Sequence, residues 1–271
     1  MPELPEVETT LRGISPHLQD QCVNNVIIRN ASLRWPIPHN LPKLLRGQTV
    51  RTLQRRAKYL LIGFDHGTLI LHLGMSGSLR ILPHDTPPEK HDHFDLVVNN
   101  GQLLRLRDPR RFGSVLWHES DMSEHPLLAN LGPEPLEREF GADYLYRATR
   151  SRNASIKLAL MDNHIVVGVG NIYANESLFR AGIRPQLAAH KLTLPRSALL
   201  VRTVRQVLRE AIRQGGSSLR DFVHSDGSSG YFQQHYFVYG RTGEPCRRCG
   251  TPIKRIIQGQ RASFYCPHCQ S

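Results

Sequence analysis

Apolar positions along the chain fall into two regimes. Up to about residue 118 they form short runs rich in Val, Ile and Leu, at 22–30, 49–57, 58–65, 68–73, 78–82, 94–99, 102–107 and 114–118. Runs of this length bounded by turn residues predict strands. Asn100-Gly101, between two of them, is the signature of a two-residue hairpin turn. A short helix opens the chain, because Pro5 suits a first helical turn and Val7, Leu11 and Ile14 share a face. Many short strands with closely spaced turns predict a β-sandwich or barrel and argue against a parallel α/β sheet. No dinucleotide-binding or phosphate-loop motif accompanies them.

The pattern breaks at Leu131-Gly132-Pro133-Glu134-Pro135, where two prolines and a glycine stop helix and strand alike. Beyond it the period becomes helical. Leu199, Val204, Val207, Leu208 and Ile212 recur at helical spacing, with Pro195 before them and Gly215-Gly216 after. A second helix is predicted over 171–180, closed by Gly182. The Gly/Ser-rich stretch 215–231 predicts a mobile surface loop, and 237–271 reads as a separate small unit. There is no internal repeat. The expected fold class is α+β in two domains, a β-sandwich with its leading helix and then a helical part with a terminal hairpin.

Charge adds direction to this layout. The 271 residues carry a formal +12 at pH 7. Residues 1–143 hold 16 basic and 17 acidic residues, whereas 144–271 hold 19 and 6. A half-chain at +13 repels itself unless a polyanion neutralises it, which implies nucleic acid or an anionic membrane surface. No apolar run approaches the roughly 20 residues of a membrane span. The N-terminus is acidic where a signal peptide would be basic, so a cytoplasmic location is expected and the five cysteines read first as thiols or metal ligands.

Four of them have metal-site spacing. Cys246-x2-Cys249-x16-Cys266-x2-Cys269 is the pattern of a four-thiolate zinc ribbon around a β-hairpin. Four thiolates leave no open coordination position, so one structural Zn2+ is expected; two disulfides are the alternative. Cys22 reads as a core thiol and His268 as a bystander. The hairpin bears Arg247, Arg248, Lys254, Arg255 and Arg261 against Glu244, a balance suited to phosphate contact.

The N-terminus carries a second kind of chemistry. Removal of Met1 would expose the secondary amine of Pro2. A chain amine ionises near 7.7–8, so far more of it is unprotonated at neutral pH than of a lysine. Such an amine attacks carbonyl-type carbon and forms iminium intermediates, and the flanking Glu3 and Glu6 can exchange protons with a reacting sugar. Pro and Glu are also commonplace at a helix start.

Longer motifs decide between these readings. Pro2 through Thr9, Arg56-Ala57-Lys58-Tyr59-Leu60, His72-Leu73-Gly74-Met75-Ser76-Gly77, Lys90-His91-Asp92-His93, Asp108-Pro109-Arg110-Arg111-Phe112-Gly113, the 131–136 segment and Gly168-Val169-Gly170-Asn171-Ile172-Tyr173 occur in one order, closed by the cysteine ribbon with Gln260-Arg261. Together they resemble the bacterial formamidopyrimidine-DNA glycosylases, the MutM family, over nearly the whole chain.

The resemblance implies a monomeric base-excision-repair glycosylase and abasic-site lyase acting on double-stranded DNA that contains oxidised purines or abasic sites. It implies boundaries of 1–131 for the catalytic sandwich, 132–148 for a linker, 149–236 for a helix-two-turns-helix domain and 237–271 for the zinc hairpin. Pro2 corresponds to the nucleophile, Glu3 to the acid/base on the sugar, Glu6 to its supporting carboxylate and Lys58 to the proton donor in β-elimination. Arg261 corresponds to the phosphate-gripping residue assigned to δ-elimination. Met75, Arg110 and Phe112 correspond to side chains that fill the void left by a flipped base, and His91, Arg110, Arg152, Lys157 and Asn171 to DNA contacts. Cys246, Cys249, Cys266 and Cys269 correspond to the zinc ligands. Arg152 stands where relatives often carry lysine. Ser217-Ser218-Leu219-Arg220-Asp221 places serines where a lesion-covering loop often carries threonines. Two other functions compete: an endonuclease VIII-like glycosylase for oxidised pyrimidines, and a non-catalytic zinc protein that binds DNA.

Overall fold

The structure, a computed structural model, describes residues 2–217 and 231–271. It divides into two compact units. The first comprises residues to Ala129 with Gln214–Tyr231, of which Gln214 to Ser217 and Tyr231 are described. The second comprises Asn130–Arg213 and Phe232–Ser271. After the longest helix the chain returns to the first unit at Gln214–Ser217.

The first unit is built on α1 (Leu4–Leu18) and two four-stranded sheets. One sheet orders β1 (Val23–Ile28), β6 (Asp92–Val98), β7 (Gln102–Arg107) and β5 (Ser78–Pro83). The other orders β2 (Val50–Arg56), β3 (Tyr59–Phe64), β4 (Thr68–His72) and β8 (Ser114–His118). All pairings are antiparallel. A single core joins α1 to both sheets through Val7, Ile14, Leu18, Leu60, Leu71, Leu79 and Phe94, which makes the pair a sandwich. The short helix α2 (Leu41–Leu45), unforeseen from periodicity, adds Leu41 and Leu45 to that core. Each of the eight predicted strands is present, within two residues at most ends. Asn100-Gly101 turns β6 into β7, with Gly101 at φ +81° and Asn100 Oδ1 accepting from the Gln102 amide.

The second unit packs α3 (Ala142–Thr149) and α5 (Asn171–Arg180) against α6 (Leu194–Arg213), with the one-turn α4 (Ile156–Leu160) beside α5. Its C-terminal part is the hairpin of β9 (Lys254–Gln258) and β10 (Arg261–Tyr265). That hairpin has its own small core of Val238, Ile253 and Phe264 against Phe179 of α5. The predicted loop residues 218–230, including Ser218, Leu219, Arg220 and Asp221, lie outside the described residues.

Candidate active site and metal centre

At the start of α1, Pro2, Glu3 and Glu6 are all buried. Glu6 Oε2 accepts from the Glu3 amide at 2.8 Å, satisfying one of the orphan donors of the helix terminus. Its other oxygen, Oε1, accepts from the Ser217 amide at 2.8 Å. Gly216 lies at φ +76°, and a Cβ there would come within 3.0–3.3 Å of the Glu6 side chain. Glu6 thus holds both the backbone beside Pro2 and the segment entering the 218–230 stretch, and a glycine is needed for the approach.

Lys58 does not lie in a strand, as the runs 49–57 and 58–65 suggested. It is the second residue of the two-residue turn that joins β2 to β3, with Ala57 at φ +54°. Strand pairing continues up to Arg56 and Tyr59, so the two turn residues are held at the tip. Arg55 steadies this turn by donating to the Ala57 carbonyl at 2.9 Å and to Glu8 on α1 at 3.0 Å. The same arginine therefore ties the Lys58 turn to the helix that begins with the Pro2 segment.

Tyr59 pairs with His72 across β3 and β4, their rings 4.8 Å apart. His72 Nδ1 accepts from the Gly74 amide at 2.9 Å, which starts the turn presenting Met75. Met75 and Phe112 are among the few exposed large apolar side chains, at 39% and 44%. The Arg110 guanidinium lies 4.9 Å from the Phe112 ring centre. The organiser of this group is Asp108, fully buried. Its carboxylate accepts from Ser76 Oγ at 2.7 Å and from the Gly113 amide at 2.7 Å. The Arg110 amide donates to Ser76 Oγ at 3.2 Å. Gly74 packs so closely on the Phe112 backbone that a Cβ would fall 2.3–2.5 Å from it. His91, at φ +78°, joins through its carbonyl, which accepts from the Asp108 amide at 3.0 Å. Met75, Arg110 and Phe112 are thereby exposed on one rigid base, with His91 half-buried at its edge.

In the second unit, Asn171 opens α5 after Gly170, and Arg152 is exposed with Asp162 at 3.2 Å. Arg261 is the exposed first residue of β10. Lys157, expected to bind a phosphate, sits against β10. It is fully buried, and its Nζ donates to the Ala262 carbonyl at 2.9 Å and Ser263 Oγ at 2.7 Å. A buried ammonium requires such acceptors, and these belong to the strand that Arg261 begins. Asn175 Oδ1 accepts from the Phe264 amide at 2.7 Å on the same strand. Glu176, also fully buried, accepts three backbone amides from Phe237, Val238 and Tyr239 at 2.9–3.0 Å. Burial pushes this carboxyl above its ordinary range, and the three N–H donors oppose that shift.

The four predicted cysteines converge. The sulfurs of Cys246, Cys249, Cys266 and Cys269 all lie within 4.8 Å of one another. Cys246 to Cys269 is 3.9 Å and Cys249 to Cys266 is 3.5 Å. Tetrahedral Zn–S bonds of about 2.3 Å place sulfurs roughly 3.8 Å apart, so the cluster has the dimensions of one zinc site. The amides of Arg248 and Cys269 donate to Cys246 and Cys266 sulfur at 3.4 Å, which favours thiolates. All four are free of disulfides, as the zinc reading requires.

Comparison with known proteins settles the family. Residues 1–115 match the formamidopyrimidine-DNA glycosylase N-terminal domain, 131–223 its H2TH domain, and 243–271 a zinc finger found in FPG and IleRS. A formamidopyrimidine-DNA glycosylase of Herminiimonas arsenicoxydans is 59% identical over the full length of both chains. The chain belongs to the formamidopyrimidine-DNA glycosylase family. Membership makes it a DNA glycosylase with a single structural zinc held by the four cysteines. Among solved family members, Lactococcus lactis Fpg in complex with abasic-site DNA superposes with a TM-score of 0.91 at 34% identity, covering 99% of each chain. The wild-type L. lactis enzyme with N7-benzyl-Fapy-dG DNA gives 0.92 at 34% identity over all of both chains.

Sequence reading left four residues of this glycosylase without a role: His72, Asp108, Asn175 and Glu176. Asp108 and His72 stand inside quoted motifs, yet a motif does not say which member is the internal brace. Glu176, between Asn175 and Ser177 on a helix, carried no signal.

Proposed function

We propose that the chain excises oxidised purines from duplex DNA and then cuts the abasic strand, with Pro2 as nucleophile. The reading rests on one arrangement: a buried Pro2-Glu3 segment fixed by Glu6, tied through Glu8 and Arg55 to the turn bearing Lys58. Glycosylases acting on a stacked base must extrude it, and the exposed Met75–Arg110–Phe112 cluster is suited to filling the hole left behind. The L. lactis complexes with abasic-site and modified Fapy-dG DNA support this substrate class. Among the described residues, no helix is long and apolar enough to cross a membrane.

The chemistry begins when Met1 is removed, since the Pro2 nitrogen is otherwise an amide. Its lone pair attacks the deoxyribose C1′, and the bond to the base breaks with its electrons leaving on the base. Glu3 exchanges protons with the sugar as the ring opens to an iminium. Loss of a C2′ proton expels the 3′ phosphate, with Lys58 as the proton donor of this step. Loss of a second proton then expels the 5′ phosphate, with Arg261 holding that phosphate. The zinc takes no part in these steps; it orders the hairpin that carries Arg261.

Borohydride trapping on a duplex with one 8-oxoguanine opposite cytosine tests the reading, with a thymine-glycol duplex alongside. The expected result is a covalent adduct and strand cleavage on 8-oxoguanine, both lost in Pro2→Gly. Preference for thymine glycol would point to oxidised-pyrimidine repair. Tight binding with no adduct from chains that have lost Met1 would overturn the amine mechanism.

A further inference from the structure

The α6 helix carries basic groups that the repair chemistry does not use. Arg202, Arg209 and Arg213 are exposed and fall on one stripe of the helix, spaced i, i+7 and i+11. At about 1.5 Å rise per residue they span roughly 16 Å. They rim a groove of about 440 Å³ between α6 and the start of α3, lined by Ala142, Ala198 and Val201. Arg205 also borders it, but its guanidinium is spent on the carbonyls of Pro135, Glu137 and Phe140. Arg202 and Arg209 make no hydrogen bond or ion pair among the described residues. No acidic side chain lines the groove. The nearest on α6, Glu210, is taken by Arg180 at 2.5 Å and by Gln206 at 2.9 Å, with Arg213 adding only a longer-range attraction.

Arg202 and Arg209, unpaired among the described residues, and Arg213, with only a longer-range pull towards Glu210, form a surface of largely unspent positive potential. A phosphate backbone would use the charge but has nothing apolar to place against Ala142, Ala198 and Val201. An acidic peptide that also bears an apolar side chain satisfies both features, its carboxylates on the rim and its apolar group in the groove. We propose that this face of α6 docks an acidic, apolar-bearing segment of a partner protein. The proposal is independent of the Pro2 chemistry.

The test uses the full chain and a fluorescein-labelled peptide of repeated Asp-Asp-Phe, followed by fluorescence anisotropy. The expected result is saturable binding that weakens on the order of tenfold in the Arg202→Ala/Arg209→Ala double variant. Turnover on a lesion duplex should be unchanged in that variant, and its thermal melt should match the parent. A peptide of equal charge with Ser in place of Phe should bind less well. Equal binding by the Ser peptide would reduce the stripe to a charge sponge and overturn the proposal. Peptide affinity unaffected by the double substitution would also overturn it. So would a loss of affinity for undamaged duplex at constant peptide affinity, which would make the stripe a nucleic-acid surface.

Discussion

His72 couples a titration to the presentation of Met75. Burial first, then the Lys58 and Arg34 cations, push its imidazole from 6.5 down to about 4, against a smaller opposite pull from Asp108. The neutral ring is what the Gly74 amide needs, since Nδ1 must accept. Because the folded chain keeps the ring neutral, the unfolded chain binds the proton first as pH falls. The stability tied to His72 is therefore complete above about 6.5 and is lost between about 6.5 and about 4. His72→Phe removes both the acceptor and the titration. Urea unfolding should find the variant weaker than the parent at pH 7 by about 1 kcal/mol, with the gap shrinking at pH 5. A gap that grows towards pH 5 would contradict the assignment. Asp108 makes a sharper case, because it accepts from Ser76 and Gly113 while fully buried. Asp108→Ala strands those donors and should cost about 1–3 kcal/mol. Its KM for a lesion duplex should rise with the loosening of Met75, Arg110 and Phe112; an unchanged melt and KM would show the brace to be dispensable.

At the scale of elements, the hairpin is gripped from α4 and α5 at three points. Lys157 holds Ala262 and Ser263, Asn175 holds the Phe264 amide, and Glu176 holds three consecutive amides from Phe237 to Tyr239. Glu176→Ala leaves those amides without their acceptor and should destabilise the second unit by about 1–3 kcal/mol. Hydrogen exchange should register this as faster exchange across 237–239 with the sandwich strands unaffected. None of this grip was legible in the chain, because each partner lies 61–106 residues away and no local pattern marks it. The strands, by contrast, were legible from their short β-branched runs, since strand formation leaves a local trace in the order of side chains. The Lys58 turn lay between the two cases. The runs 49–57 and 58–65 abut with no glycine or proline between them, so only the pairing of Arg56 with Tyr59 reveals a turn, closed by Ala57 at positive φ. At the metal site, sequence spacing was sufficient because the ligands come in two pairs, each set by one tight local loop.

On the scale of the whole molecule, the two units draw on different sources of stability. The first has one core shared by α1 and two sheets, from Val7 to Val115. The zinc part of the second rests on a core of few residues, Phe179, Val238, Ile253 and Phe264 with Cys246 and Cys266 themselves. A core that small cannot offset the ordering of some thirty residues, so the metal must supply the difference. Chelation of the zinc should therefore act on one part of the chain alone. Hydrogen exchange after treatment with a strong chelator should find protection lost over 243–271 and retained in β3, β4, β6 and β7. The same treatment should suppress the second cut, at the 5′ phosphate, because Arg261 loses its fixed strand, while Pro2, Glu3 and Lys58 keep their places. Cys246→Ser should reproduce both effects without chelator. Retained protection over 243–271 in metal-free protein would mean that α4 and α5 hold the hairpin without the ion, and would shift the weight of its folding to Lys157, Asn175 and Glu176.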